Sequence, residues 1–259
     1  MLKNARLNKL IYCYTNILVV VKILVSVVAV NGSARMEKGN TAILLAAFLE
    51  GMKEAGAQVE LFYSKRLNVA PCTGEFYCWN EKLGECYIND SMQSVYPKLR
   101  KADILVLATP VYIPLPGEMQ NFINRLCPII EPILSKRNGR TRARFHEDVK
   151  IKKIALVSTG GWWEKGNFST VIRIVEELAR DANVEFAGAV LRPHAQLLAK
   201  HKDKSKILEA AKKAGFQLAR GEAISKDLLE IIAQPLVSEK DFRNGENNGY
   251  ESLKRANLK

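Results

Sequence analysis

Three cysteines crowd one short stretch, "PCTGEFYCWNEKLGECYIND" at residues 71–90: Cys72, Cys78 and Cys86, with Glu75 between the first two. Thiolates on one tight loop can surround an iron–sulfur cubane, which takes four of them. Here the remaining group in the run is a carboxylate, a harder and weaker ligand for a soft cluster iron. The stretch can hold a labile or three-iron cluster, serve another redox or metal use of its thiols, or be a structural loop without one. The structural loop is the expectation, with Cys72, Cys78 and Cys86 kept as the candidate ligands. Cys13 and Cys127 complete the five cysteines, sit in apolar stretches and read as packing residues. His146, His194 and His201 lie far apart without metal-ligand spacing and are assigned surface or core roles. No nucleophilic serine motif or close carboxylate pair stands out.

Three further segments carry binding chemistry. "NGSARMEKGNT" at 31–41 supplies a glycine for a turn, hydroxyls at Ser33 and Thr41, an amide at Asn40, a cation at Arg35 and then a helix start. Backbone N–H groups and the positive end of a helix dipole favour an anion there. The loop has neither the GxxxxGK[ST] nor the GxGxxG form, so a monophosphate is expected. In "TPVYIPLPGEMQNFINR" at 109–125, Pro110 stiffens the chain and holds Thr109 extended, which sets the backbone amides and Tyr112 at a crevice edge suited to a planar ligand. "STGGWWEKGNF" at 158–168 offers Gly160 and Gly161 for close backbone approach to a ring and Trp162 and Trp163 to cover it. Singly, each segment is ordinary turn chemistry. At three successive strand ends they point to one ligand.

Apolar periodicity shows what positions them. Short β-branched runs at 23–30, 58–63, 103–109, 153–159 and 184–191 alternate with helical stretches, the pattern of a parallel sheet covered on both faces. "NTAILLAAFLEGMKEAG" reads as a helix with Asn40 or Thr41 as N-cap and Gly56 as its stop; other helices are expected at 90–100, 117–134, 168–182, 203–220 and 222–233. The fold class is therefore α/β: a flavodoxin-like, doubly wound, five-stranded parallel sheet in three α/β/α layers, with ligands at the carboxyl ends of its strands. Residues 23–235 form this domain. Residues 1–22 are read as an extension, disordered or arising from a start placed too far upstream, and 236–259 as a polar, loosely ordered tail.

The net charge of +12 is uneven. Residues 136–153 carry eight Lys or Arg against two acids, and residues 1–22 carry four and no acid. The first segment reads as a solvated loop. No aromatic interleaving accompanies it, so nucleic acid is not expected. The amino-terminal apolar run has the outline of a secretory signal or membrane anchor, but Lys22, Thr15 and Asn16 interrupt it and its end leads into the glycine turn, so a membrane role is not expected either. An odd number of clustered cysteines suits a reducing compartment, hence a cytoplasmic protein.

"GSARMEKGNT", "PCTGEFYCW", "GEC", "NDSM", "TPVY" and "STGG", in this order, resemble the NAD(P)H-dependent FMN reductase and iron–sulfur flavoprotein group of flavodoxin-like proteins. The resemblance implies FMN, with Ser33, Arg35, Asn40 and Thr41 at its phosphate, Thr109, Pro110, Val111 and Tyr112 at the ribityl chain and ring, and Thr159, Gly160, Gly161 and Trp162 closing over it. It also implies a homodimer or homotetramer in which a neighbouring subunit helps to cover the flavin. Cluster-bearing members have CxxCxxC and a fourth cysteine further on. Here Glu75 stands at the second position, so the loop is expected to fold over the flavin, with Tyr77 and Trp79 as aromatic cover.

The function expected is that of an oxidoreductase taking reducing equivalents from NAD(P)H or a carrier and passing them to a small-molecule or protein acceptor. The flavin performs the chemistry, so no catalytic side chain is named. Two other readings are kept: an iron–sulfur electron-transfer protein served by ferredoxin, and a basic protein that binds membranes or nucleic acid.

Overall fold

The computed structural model describes residues 9–14, 17–22, 24–199 and 201–257. Residues 1–8 of the expected extension, the start of the first expected strand at 23, and 258–259 of the expected tail lie outside the described residues, as does the packing role of Cys13. Where only an extension is predicted, β1 (Lys9–Tyr14) and β2 (Ile17–Lys22) pair as an antiparallel hairpin.

The main sheet begins with β3 (Ser26–Asn31), followed by α1 (Asn40–Glu54), β4 (Gln58–Tyr63), the short α2 (Ser64–Leu67) and α3 (Tyr77–Asn80), α4 (Met92–Lys101), β5 (Ile104–Pro110) and α5 (Gly117–Asn124). A second hairpin, β6 (Ile130–Arg137) and β7 (Arg140–Phe145), precedes β8 (Lys153–Thr159), α6 (Ser169–Ala182), β9 (Glu185–Arg192), α7 (Lys204–Ala219), α8 (Lys226–Ala233) and α9 (Glu239–Asn257). The five main strands are all parallel, in the order β4-β3-β5-β8-β9. This is the flavodoxin order, with the switch beside β3. The central β3, β5 and β8 are buried almost throughout, which is why they read as unbroken apolar runs.

Two apolar layers flank the sheet. On one side α4, α5 and α6 bury residues such as Leu99, Phe122 and Val175; on the other, α1 and α7 bury Phe48, Met52 and Ala214. The two helices of the second layer touch through glycine. A Cβ at Gly51 would stand 1.8 Å from the Lys212 carbonyl oxygen, and one at Gly215 would stand 1.9 Å from that of Phe48.

Three expectations are corrected. The helix predicted over 117–134 stops at Asn124, and Cys127–Ile129 form a 3-10 turn before β6. Pro128 and Pro132 cannot donate to a helical ladder, which outweighs the apolar periodicity that prompted the prediction. The basic stretch at 136–153 is largely hairpin rather than loop, and Arg142 of the hairpin faces acids of α6, donating to Asp181 at 2.7 Å and also to Glu177. The stretch from 236 is not a loose tail. Ser238 Oγ accepts the Asp241 N–H at 3.1 Å and donates to the Asp241 carboxylate at 2.6 Å, starting a helix whose Phe242 is buried. Ser-x-x-Asp at 238–241 is the local helix-start signal for this segment.

Candidate functional site

The three predicted loops leave the carboxyl ends of adjacent strands, β3, β5 and β8, and are bonded to one another. Thr41 and Thr159, both buried, share a hydroxyl–hydroxyl bond of 2.7 Å that ties the start of α1 to the end of β8. The Val111 N–H donates to the Thr159 carbonyl at 2.8 Å, and Ser158 Oγ donates to the Thr109 carbonyl at 2.8 Å. The Gly32 N–H donates to the Ala108 carbonyl at 2.7 Å. These links hold together, at the carboxyl ends of the three strands, the loops that carry Ser33, Asn40, Thr41, Thr109, Pro110, Val111, Thr159 and Gly160.

Within the first loop, Asn31 Oδ1 accepts the Ser33 N–H at 2.9 Å and Ser33 Oγ accepts the Arg35 N–H at 3.3 Å. Gly39, rather than Asn40 or Thr41, is the N-cap of α1. The Thr41 hydroxyl goes to Thr159 instead of capping, and a Cβ at Gly39 would lie 2.5 Å from Ser33 Oγ. Asn40 and Thr41 thus become the first helical residues, whose N–H groups have no intrahelical acceptor. Arg35 is exposed beside them. Sequence reasoning omitted Asn31, which is fully buried and whose Nδ2 has no partner among the described residues. Its place as the last residue of β3 was the available signal.

Tyr112 and Trp162 stand exposed at the rim, as does Gly161. Beneath Gly160 lies Phe168, which a Cβ there would meet at 2.9 Å. Trp163 does not join the rim. It stacks on His194 at 4.6 Å, and Phe242 of α9 closes over both at 5.6 and 5.9 Å. His194 is buried with neither ring nitrogen partnered among the described residues, and burial followed by the nearby Arg192 charge lowers its pKa to about 4. Arg192, also buried, donates to the carbonyls of Ile232 and Gln234 at 2.9 and 2.7 Å and receives the Gly160 N–H on its own carbonyl.

The cysteines form a second locus at the far end of α5. Cys72, Cys78, Cys86 and Cys127 line one cavity of about 330 Å³, so Cys127 is no mere packing residue. Hydrogen bonding between the free Cys127 and Cys78 thiols lowers the Cys78 pKa and, with burial, pushes Cys127 up. The Trp79 indole N–H is shared by the carbonyls of Ile130, at 2.8 Å, and Cys127, at 3.2 Å. Tyr77 meets Tyr87 edge-on at 5.8 Å. Glu75 is exposed and accepts a hydrogen bond from Thr73. Arg125 anchors the cavity wall, donating to Asp90 at 2.7 and 3.1 Å and to the Ala70 carbonyl at 2.9 Å. Burial alone would raise the Asp90 carboxyl, but Arg125 and the Ala70 and Met92 amides outweigh it and hold the pKa below its ordinary value.

Known proteins share this architecture. The NAD(P)H:quinone oxidoreductase of Methanothermobacter marburgensis matches with a TM-score of 0.53 at 17% identity, over 76% of this chain and 98% of that one. A flavone reductase matches with a TM-score of 0.54 at 18% identity, over 81% and 66%. Both likenesses show the fold. By sequence, an iron–sulfur flavoprotein of Methanosarcina thermophila is 29% identical over 56% of this chain and 68% of its own length, and one from Archaeoglobus fulgidus is 33% identical over 38% and 46%. The chain spans about half the length of most of the curated relatives it matches. The profile of the NADPH-dependent FMN reductases covers residues 25–170, more than half of the sequence, and the chain belongs to that family.

Proposed function

We propose that the protein binds FMN in the crevice at the ends of β3, β5 and β8 and acts as an oxidoreductase that draws reducing equivalents from NAD(P)H and delivers them to a small-molecule or protein acceptor. The observation that carries the reading is the bonded junction of the three loops through Thr41, Thr159 and Val111, set against the amino terminus of α1. The residues present suit the cofactor. An anionic phosphate finds the N–H groups of Asn40 and Thr41, the Ser33 hydroxyl and the Arg35 cation, all favourable to negative charge. Gly39 keeps a side chain out of the space beside Ser33, and the Asn31 amide, unpartnered among the described residues, adds a donor below the loop. Thr109 to Tyr112 would line the ribityl chain and ring, and Gly160 and Gly161 would let backbone approach the ring, with Trp162 at its edge. FMN, when bound, supplies the hydride and electron chemistry; the chain binds, orients and shields it from water. A homo-oligomer would complete the exposed rim at Tyr112, Ile113 and Trp162.

The test is titration of the flavin-stripped protein with FMN, followed by mixing the complex with NADH or NADPH under anaerobic conditions. Saturable FMN uptake and bleaching of the flavin by either nucleotide support the reading. Failure to take up FMN sinks it. Uptake without bleaching by either nucleotide favours the electron-transfer reading, in which a carrier protein is the donor.

A further inference from the structure

We propose that Cys72, Cys78, Cys86 and Cys127 together ligate an iron–sulfur cluster of cubane type, with Cys127 supplying from outside the loop the thiolate that the run around Glu75 lacks. The inference goes beyond the flavin reading and does not depend on it.

Four thiols line one cavity, and the cavity is the right kind of space. Its volume of about 330 Å³ is roughly ten times the ~30 Å³ share of one water, far more than a single ion needs. Four thiols around one cavity match the ligand count of a polynuclear centre whose irons each take one cysteine, and no group of three His, Cys, Asp or Glu side chains that could hold a single metal ion is present among the described residues.

The choice of Cys127 over Glu75 follows from their surroundings. Glu75 is exposed and bonded to Thr73, whose hydroxyl is also 2.8 Å from that of Tyr87, so its carboxylate belongs to a small surface network. Cys127 is fastened to the loop by Trp79, whose indole N–H reaches the Cys127 and Ile130 carbonyls and ties α3, the helix of Cys78, to the turn that carries Cys127. A thiolate is also the softer ligand. The wall adds a buried donor. Arg125, 1% exposed, lines the cavity with its charge already paired to Asp90, and its Nε keeps one buried N–H donor without a partner among the described residues.

The test uses the full chain, reconstituted anaerobically with equal amounts of ferrous and ferric iron and with sulfide, assayed for iron and acid-labile sulfide and examined by electron paramagnetic resonance after reduction. The wild-type protein is expected to hold about four irons and four sulfides, as a cubane requires. Glu75→Ala should match it. The nearly isosteric Cys127→Ser should lose at least one iron per chain and change the resonance signal, and adding Glu75→Cys to Cys127→Ser should restore the loading by completing a compact four-thiol run. In the loaded wild-type protein, Cys127 should resist alkylation together with Cys72, Cys78 and Cys86, a reading that needs no variant to fold. Wild-type loading in Cys127→Ser, ready alkylation of Cys127 in the loaded protein, or a Cys78–Cys127 disulfide with no iron uptake would each overturn the assignment. FMN uptake on the same samples keeps the readings apart: FMN without iron defeats this inference alone, and iron without FMN defeats the flavin reading alone.

Discussion

Thr41 Oγ1 and Thr159 Oγ1 lie 2.7 Å apart inside the protein, so the first turn of α1 and the last residue of β8 are held as one piece. Replacing either hydroxyl strands the other in a buried place, a loss of about 1–3 kcal/mol. Thr41→Ala and Thr159→Ala should each weaken FMN binding and lower the denaturant midpoint. The double variant should fall short of the sum, because only one bond exists to lose. A double-mutant cycle on FMN affinity measures this, and strict additivity would show that the bond does not organise the site.

Arg35 makes a different kind of prediction, because it is exposed and its contribution is charge. Arg35→Ala should weaken FMN by about 1.5–3 kcal/mol at low salt, the range for hydrogen bonds to charged groups. The deficit should shrink as salt rises and screens the exposed pair. Riboflavin, which lacks the phosphate, serves as the control. Equal losses for both flavins would place Arg35 away from the phosphate.

His194 sets a pH dependence. Its folded pKa of about 4 lies below the ordinary 6.5, because burial and then Arg192 disfavour the charged ring. Between these values the unfolded chain binds the extra proton, so stability rises with pH through the window from about 4 to 6.5 and is lost as pH falls through it. The full swing is on the order of 3 kcal/mol at 1.36 kcal/mol per pKa unit. Urea unfolding across this window should show a smaller slope for His194→Phe than for the wild-type protein. A slope unchanged by the substitution would mean that other groups carry the acid sensitivity.

What the sequence made legible, and what it hid, follows from the range of the interactions. The β-branched runs that became β3, β5 and β8 are legible because strands buried on both faces need unbroken apolar residues, and the loops behind them are legible because glycine, hydroxyl and proline chemistry is local. Thr41 pairs with Thr159 and Arg125 with Asp90 across long stretches of chain, and no local pattern announces either. Cys127 was misjudged for that reason. Its own neighbours are apolar, and only the fold delivers it to the cavity of Cys72, Cys78 and Cys86. The β6–β7 hairpin was hidden differently, by an apolar spacing that fits a helix until Pro128 and Pro132 are given their weight.

Gly51 offers a test whose sign alone decides. In a helix interior alanine is better than glycine by about 0.8–1.0 kcal/mol, so propensity predicts that Gly51→Ala stabilises the protein. The packing predicts the opposite. A Cβ there would come within 1.8 Å of the Lys212 carbonyl oxygen, and the obstacle is backbone, so α1 and α7 must separate rather than a side chain swing aside. Overpacking of this kind costs about 1–3 kcal/mol and occasionally more. Gly249 of α9 is the internal comparison: it is exposed, nothing lies within 4 Å of its would-be Cβ, and Gly249→Ala should leave the melting temperature unchanged or raise it. Thermal melts of the two variants separate the effects. Because α1 begins at Asn40 and Thr41, a shift of its axis at Gly51 should also carry into the flavin crevice, so Gly51→Ala should lose FMN affinity together with stability, whereas Gly249→Ala should lose neither.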